Sequence, residues 1–368
     1  MGSGRRALLG RCKLMIYNFM QPGVLHIDIH SNLVYVPKFK KMSLHINRLL
    51  CTCFLVVTLF SCQKVPLEKE SPSITGLEIS RAASKGNATN LRVLSFNVLC
   101  PCWANPSYYP VSTALLLNRV DRRKTIIDFL KSQQKAADII ALQEVAQVEF
   151  DFFRDALKSN YTGFQANHSS TYWSSWITVE PPWELNGNAI FVRNDLFNNL
   201  SFQDLPTSID GNHAALFTGI VKNSGGKTVR AASVHLDSDY PYNRKAELSA
   251  VLNAWVIRDN TCDLIAGDFN FETDAGDLRG DIKKAGYYDV LDVLGKSEQT
   301  HPWDSKYNGA DNWGIIDHVI SRNSSGLDGK VMNFDLYKLY PNDEERRINE
   351  NMKLCGSDHF PIIGSVYY

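Results

Sequence analysis

The chain has 368 residues, enough for one large domain or two small ones. Its 44% hydrophobic and 21% charged residues exclude wholesale disorder. Formal net charge is zero but unevenly placed: residues 1–61 carry eight Lys or Arg and one acid, Asp28, which leaves 31 basic and 38 acidic residues from Cys62 onward, a formal −7. A body of that sign lacks the broad positive field that drives tight, non-specific binding to nucleic acid.

Leu49 to Phe60 is a twelve-residue apolar run, shorter than the about 20 residues that cross a bilayer. Lys40, Lys41 and Arg48 precede it and Leu59-Phe60-Ser61-Cys62 ends it, the layout of an export signal with Met42 as a natural start. The end is similar to the lipobox of bacterial lipoproteins, in which the cysteine is lipidated; a plain signal peptide is the alternative. Sequons at Asn87, Asn160, Asn167, Asn199 and Asn323 equally permit a glycosylated secreted protein. Gln63 to Asn90 is polar and aperiodic, with Pro66 and Pro72. The expected organisation is a leader and export signal over 1–62, a flexible tether over 63–90 and one folded domain over 91–368. An exported monomer is expected, membrane-anchored or secreted.

Strand signals and helical stretches then alternate, which predicts an α/β domain. Strands are expected at Leu91–Asn97, Asp138–Glu144, Gly187–Arg193, Ala231–Asp237, Cys262–Ala266, Ile315–Ile320, Val331–Leu339 and Pro361–Tyr368. Arg119–Ser132 has apolar Val120, Ile126, Ile127 and Leu130 at helical spacing, Tyr242–Arg258 repeats the pattern, and a third helix is expected from Thr273 to Ala285. Cys100-Pro-Cys102 has no second pair at metal spacing.

The strands end in chemistry. Asn97 closes the first, Gln143-Glu144 the second, and Gly187-Asn188 opens the third. His235 stands at the exit of the fourth, Gly267-Asp268-Phe269-Asn270 follows the fifth, and Asp317 lies in the sixth. Gly356-Ser357-Asp358-His359 precedes the last. Carboxylates and imidazoles at strand ends suit a hard divalent cation and acid–base work on phosphate. A carboxylate at Glu144 is costly to desolvate without a cation.

This ordered series closely resembles the endonuclease/exonuclease/phosphatase superfamily, from about Leu91 to Tyr368. The resemblance implies a deoxyribonuclease I-like fold, a four-layer sandwich of two packed mixed β-sheets flanked by helices. It implies Mg²⁺ at Glu144, Asn97 and Asp358, with Mn²⁺ able to substitute. It also implies that Asp268 and Asn270 align water and hold phosphoryl oxygens, that His359 acts near phosphorus with Asp317 fixing its ring, and that His235 serves the leaving group or phosphate. Asn188 is expected near the phosphate, and Arg244, opening the helix after His235, could meet a phosphate at the substrate or be plain helix surface charge, whereas His318, next to Asp317, points to the opposite face. In that fold the loop with Cys100 and Cys102 neighbours Cys355, so a bridge between them and free buried thiols both stand. Trp103, Tyr108 and Tyr109 in the loop after the first strand could stack on a base or cover a sugar or headgroup, or pack as a local lid; Tyr172, Trp173, Trp176 and Trp183 form a second aromatic segment, and His301-Pro302-Trp303 resembles a Thr-Phe-Pro-like element that precedes the aspartate strand in many members. The expected function is an exported Mg²⁺-dependent phosphoesterase cleaving a diester or monoester by water attack, its substrate a small molecule, lipid headgroup or nucleic acid. Alternatives are a secreted nuclease, a sphingomyelinase-like phosphodiesterase or, distantly, a non-catalytic surface binding module.

Overall fold

The computed structural model describes residues 89–368 except 103, 105, 118, 169–184, 209–210, 239, 272–275, 296–298 and 302–313. The expected leader, nearly all of the tether, and Trp103, Tyr172, Trp173, Trp176, Trp183, Pro302 and Trp303 lie outside the described residues.

Twelve strands form two six-stranded sheets. The first runs β11 (Gly326–Val331), β12 (Ile362–Tyr367), β1 (Asn90–Asn97), β2 (Ile139–Ala146), β4 (Asn186–Arg193), β3 (Tyr161–Asn167). The second runs β5 (Phe197–Pro206), β6 (His213–Val221), β7 (Thr228–His235), β8 (Thr261–Asp268), β10 (Asp317–Arg322), β9 (Tyr288–Asp289). Each sheet is mixed, with one parallel pair at its centre, β1 beside β2 and β7 beside β8.

Apolar residues on both faces of the central strands explain the layering. Leu91 and Val93 of β1 join Ile190 and Val192 of β4 and Leu264 and Ala266 of β8 in the core between the sheets. Their alternates, Leu94, Phe96 and Phe191, meet α2 (Arg119–Ser132) and α3 (Gln147–Leu157) through Ile126, Leu130, Phe150 and Phe153. On the far side, Val234 and Ile265 pack with Leu248 and Val251 of α4 (Pro241–Leu252) and Leu278 and Ile282 of α5 (Gly276–Lys284). Helix, sheet, sheet, helix is the expected four-layer sandwich.

The expected strand Val331–Leu339 is corrected: β11 ends at Val331, and Asp335–Leu339 is a short helix. The helix expected to reach Arg258 stops at Leu252, and Val120 faces solvent at 65% exposure rather than the core. Gly267 is required by a close approach. A Cβ there would lie 1.9 Å from the Val234 carbonyl oxygen of the neighbouring strand. Gly267→Ala should therefore lower unfolding free energy by about 2 kcal/mol or more in denaturant titrations. Gly280→Ala, in α5 with nothing within 4 Å of the added carbon, should instead raise it by about 0.5–1 kcal/mol.

Candidate active site

The parallel pairs place their C-terminal ends together, and the candidate side chains sit there. Asn97 and Gln143 are register partners across β1 and β2, as His235 and Asp268 are across β7 and β8. β10 is antiparallel to β8, so its first residue, Asp317, pairs with Asp268 at the same end. β12 is antiparallel to β1, so the residues just before it, Asp358 and His359, arrive there too. Gln143 Nε2 donates to Ser233 Oγ at 3.0 Å, and Ser233 Oγ donates to the Leu142 carbonyl at 2.9 Å, joining the two sheets just behind the site.

Local backbone does the aiming. The β2–β4 register shifts between Leu142 and Val145, a bulge, and within it Glu144 holds φ +57°. Asn270, at φ +50°, donates its backbone N–H to Asp268 Oδ1 at 2.9 Å and its amide to the Leu236 carbonyl at 2.8 Å. Leu99, a leucine at φ +56°, donates its N–H to Asn97 Oδ1 at 2.9 Å, and Cys100 N–H donates to Glu144 Oε2 at 2.9 Å. Left-handed backbone at a non-glycine residue is costly, and three residues that adopt it, Leu99, Glu144 and Asn270, stand at this end of the sheets.

Asp268 Oδ2 is the meeting point. Asn97 Nδ2 donates to it at 3.0 Å and to Glu144 Oε1 at 2.9 Å. His235 Nε2 lies 3.6 Å from Asp268 Oδ2 and 3.9 Å from Glu144 Oε1, and His359 Nε2 lies 3.7 Å from Asp268 Oδ2. The other ring nitrogen of His359, Nδ1, bonds Asp317 Oδ2 at 3.0 Å, which fixes the tautomer. Burial opposes charge on His359, but the carboxylates of Asp317, Asp268 and Asp358 outweigh it and raise the imidazole to about 10. Burial, and then Asp317, raises the Asp268 carboxyl above the usual carboxylate range, suiting it to accept a proton.

Six expected residues, Asn97, Glu144, His235, Asp268, Asp317 and His359, are thus brought together, and Asn270 braces Asp268. Asp358 stands beside His359, and burial raises its carboxyl. Asn97 differs from expectation in detail. Its oxygen is engaged by Leu99, so its amide nitrogen faces the carboxylates as their donor. Asn188 donates to the His213 carbonyl at 2.7 Å and links β4 to β6 across the sandwich. Arg244 Nη1 donates to the carbonyls of Asp237 and Ser238 at 2.7 and 2.8 Å, in the loop that leads into its helix. His318 does face away from Asp317, onto Phe269, Phe271 and Asp289. Cys100 and Cys102 are bonded to each other, with Cα atoms 5.2 Å apart, while Cys262 and Cys355 are free and buried; the bridge to Cys355 does not form.

Two further buried histidines stand near His359 and His235. His301 packs edge-on against His359 with ring centroids 4.6 Å apart, and burial and His359 keep it neutral. Just before it, Thr300 Oγ1 accepts the N–H groups of Ile316 and Asp317, both at 3.0 Å. His168, at the end of β3, accepts the His213 N–H at 3.0 Å, and burial with nearby His235 pushes it down to about 3. His301 had a signal in its Thr-His-Pro string before the aspartate strand; His168 had none.

The donor set fits a hard divalent cation. Glu144, Asp268, Asp317 and Asp358 are each at most 8% exposed. Among the described residues their charged partners are imidazoles, with no lysine or arginine in an ion pair with them. Asp358 Oδ1 is buried without a hydrogen-bond partner, and atoms of Glu144, His235 and Asp268 lie within 4.8 Å of one another. Excess buried negative charge among oxygen donors is the condition a cation relieves.

The pairing of His359 with Asp317 has a signed pH consequence. Because the folded pKa lies above the ordinary value of about 6.5, the pair stabilises the fold fully below that pH and loses the contribution as pH rises through about 10. Asp317→Asn should bring the His359 ring down toward about 6.5 in an NMR titration. An unmoved titration would show that Asp317 does not hold the charge.

A profile of the Endonuclease/Exonuclease/phosphatase family matches residues 94–359, most of the chain. The Ccr4 3'-5'-exoribonuclease subunit of the CCR4-Not complex from Aspergillus niger is 30% identical over 142 residues, 37% of this chain and 20% of that one. The same subunit from Aspergillus fumigatus is 32% identical over 98 residues, 26% and 13% of the two chains. The chain thus spans a fifth or less of the length of these curated relatives. Among solved structures, ANGEL2, a 2',3'-cyclic phosphatase, superposes with TM-score 0.55 at 14% identity, over 76% of this chain and 96% of that one. The human Nocturnin catalytic domain gives 0.53 at 18%, over 76% and 95%, and an endonuclease/exonuclease/phosphatase from Bacteroides vulgatus 0.52 at 17%, over 76% and 98%. These likenesses show the fold. With the profile match spanning Asn97 to His359, the chain belongs to the Endonuclease/Exonuclease/phosphatase family of hydrolytic phosphoesterases and nucleases.

Proposed function

We propose that the chain hydrolyses a phosphate ester by in-line attack of water, with Mg²⁺ as its cation. The convergence of Asn97, His235 and His359 on Asp268 Oδ2 carries this reading. Asp268, raised by burial, takes the proton of the attacking water, and Asn270 holds that carboxylate through its backbone N–H. His359, charged at neutral pH, donates from Nε2 to a phosphoryl oxygen while Asp317 holds Nδ1. His235 stands where it can protonate or bind the departing oxygen. Glu144 and Asp358 would hold the cation, with Asp268 adjacent. When bound, the cation draws charge from the phosphoryl oxygens.

The acidic balance beyond residue 61 and the export signal favour a small or lipid-linked ester, acted on outside the cytoplasm by a monomer tethered to a membrane or secreted. A second reading, a 3'-5' exoribonuclease, is favoured by the matches to Ccr4 subunits.

Hydrolysis of bis-p-nitrophenyl phosphate should require added Mg²⁺ and stop with chelator. Persistent metal-free turnover would end the metal reading, and no turnover of any ester would favour a binding module. A parallel panel of RNA, DNA, sphingomyelin and inositol phosphates separates the substrate classes. Asp268→Ala and His359→Ala should each lower kcat by about 10²–10⁴-fold. Glu144→Gln should chiefly raise the Mg²⁺ concentration for half-maximal rate; an unchanged titration would remove Glu144 from the cation site.

A further inference from the structure

The loop after β1 is tied down at several points. Cys100 and Cys102 are disulfide-linked at its start. Further on, α1 (Val111–Ala114) lies on α8 (Glu344–Cys355): Thr113 Oγ1 donates to Asn349 Oδ1 at 2.7 Å, Asn349 Nδ2 donates to Ser112 Oγ at 2.7 Å, and Ser112 bonds Glu345. Leu117 packs with Ile348 and Met352, and Tyr109 packs against the same cluster.

From that base Tyr109 donates its hydroxyl to Asp358 Oδ2 at 2.8 Å. The carboxylate is anchored from the same helix. α8 ends in Gly356 at φ +81°, and Asn351 Nδ2 donates to the carbonyls of Ser357 and His359, both at 2.8 Å. Hydroxyl and carboxylate are thus fixed to each other through one helix. The other oxygen, Asp358 Oδ1, is buried without a hydrogen-bond partner.

We propose that Tyr109 is a positioning residue for the cation: its hydroxyl occupies Asp358 Oδ2 and leaves Oδ1 as the oxygen that faces the metal. This inference rests on the cation-dependent reading above. It adds to that reading a group from a loop that supplies no metal ligand of its own. A hydrogen-bonded second oxygen keeps a carboxylate from rotating and from offering both oxygens, so its loss weakens the metal site without removing a ligand.

The test is direct Mn²⁺ binding, followed by electron paramagnetic resonance on chelator-stripped full chain. Tyr109→Phe keeps the ring and removes only the hydroxyl. It should raise Kd by about tenfold or more, while the metal-free Tm stays within a few degrees of wild type. Asp358→Asn should weaken binding as well, and the double variant should be little weaker than Asp358→Asn alone, because the hydroxyl acts only through that carboxylate. Wild-type affinity in Tyr109→Phe, or additive losses in the double variant, would overturn the role of Tyr109 and leave the metal reading standing. Wild-type chain that binds no Mn²⁺ would overturn both.

Discussion

A buried carboxylate, Asp268, at the end of a fully buried strand, is the constraint on which the site depends. At 2% exposure it cannot be solvated by water, so the protein surrounds it with an amide, two imidazoles and a backbone N–H. These partners come from both sheets. Asn97 arrives on β1, His235 on β7, and His359 from the turn before β12. Satisfying one desolvated charge thereby requires the sheets to stack in one relative position. The Gln143–Ser233 link behind the site holds that position with neutral groups.

Around this point the chain accepts unfavourable backbone. Leu99, Glu144 and Asn270 all take left-handed conformations, and each delivers a group into the same small volume. Regular strands cannot do this, because alternation would send Glu144 to whichever face its register dictates. The bulge in β2 releases it from that rule. Such strain persists only where surrounding packing over-determines it, and here two sheets and two layers of helices supply that packing.

Much of this was legible in the sequence. The central strands carry apolar residues on both faces, so their existence and burial could be read from composition alone. The polar residues that terminate them stood out as chemistry at strand ends. Alternation placed His318 away from Asp317, as the structure has it. The failures have physical causes. Val331–Leu339 carries Val331, Phe334 and Tyr337, yet Asn333 takes φ +61° and bonds Asn351 of α8, which ends the extended run, and Asp335–Leu339 goes on as a helix. Pairing of cysteines depends on a turn conformation, and Cys100-Pro-Cys102 bends sharply enough to close on itself. His168 is buried by tertiary packing alone, without local pattern.

The seam between the sheets has one more consequence. A ligand that touches Glu144 and Asp268 at once adds a bridge between two halves of the sandwich that already meet through apolar surface and the polar contacts of Asn97 and His359 with Asp268 and Asp317. Occupancy and folding are then thermodynamically linked: whatever binds there resists unfolding of the whole domain by mass action. The protein's lifetime in a harsh medium would accordingly track the local concentration of any ion held there.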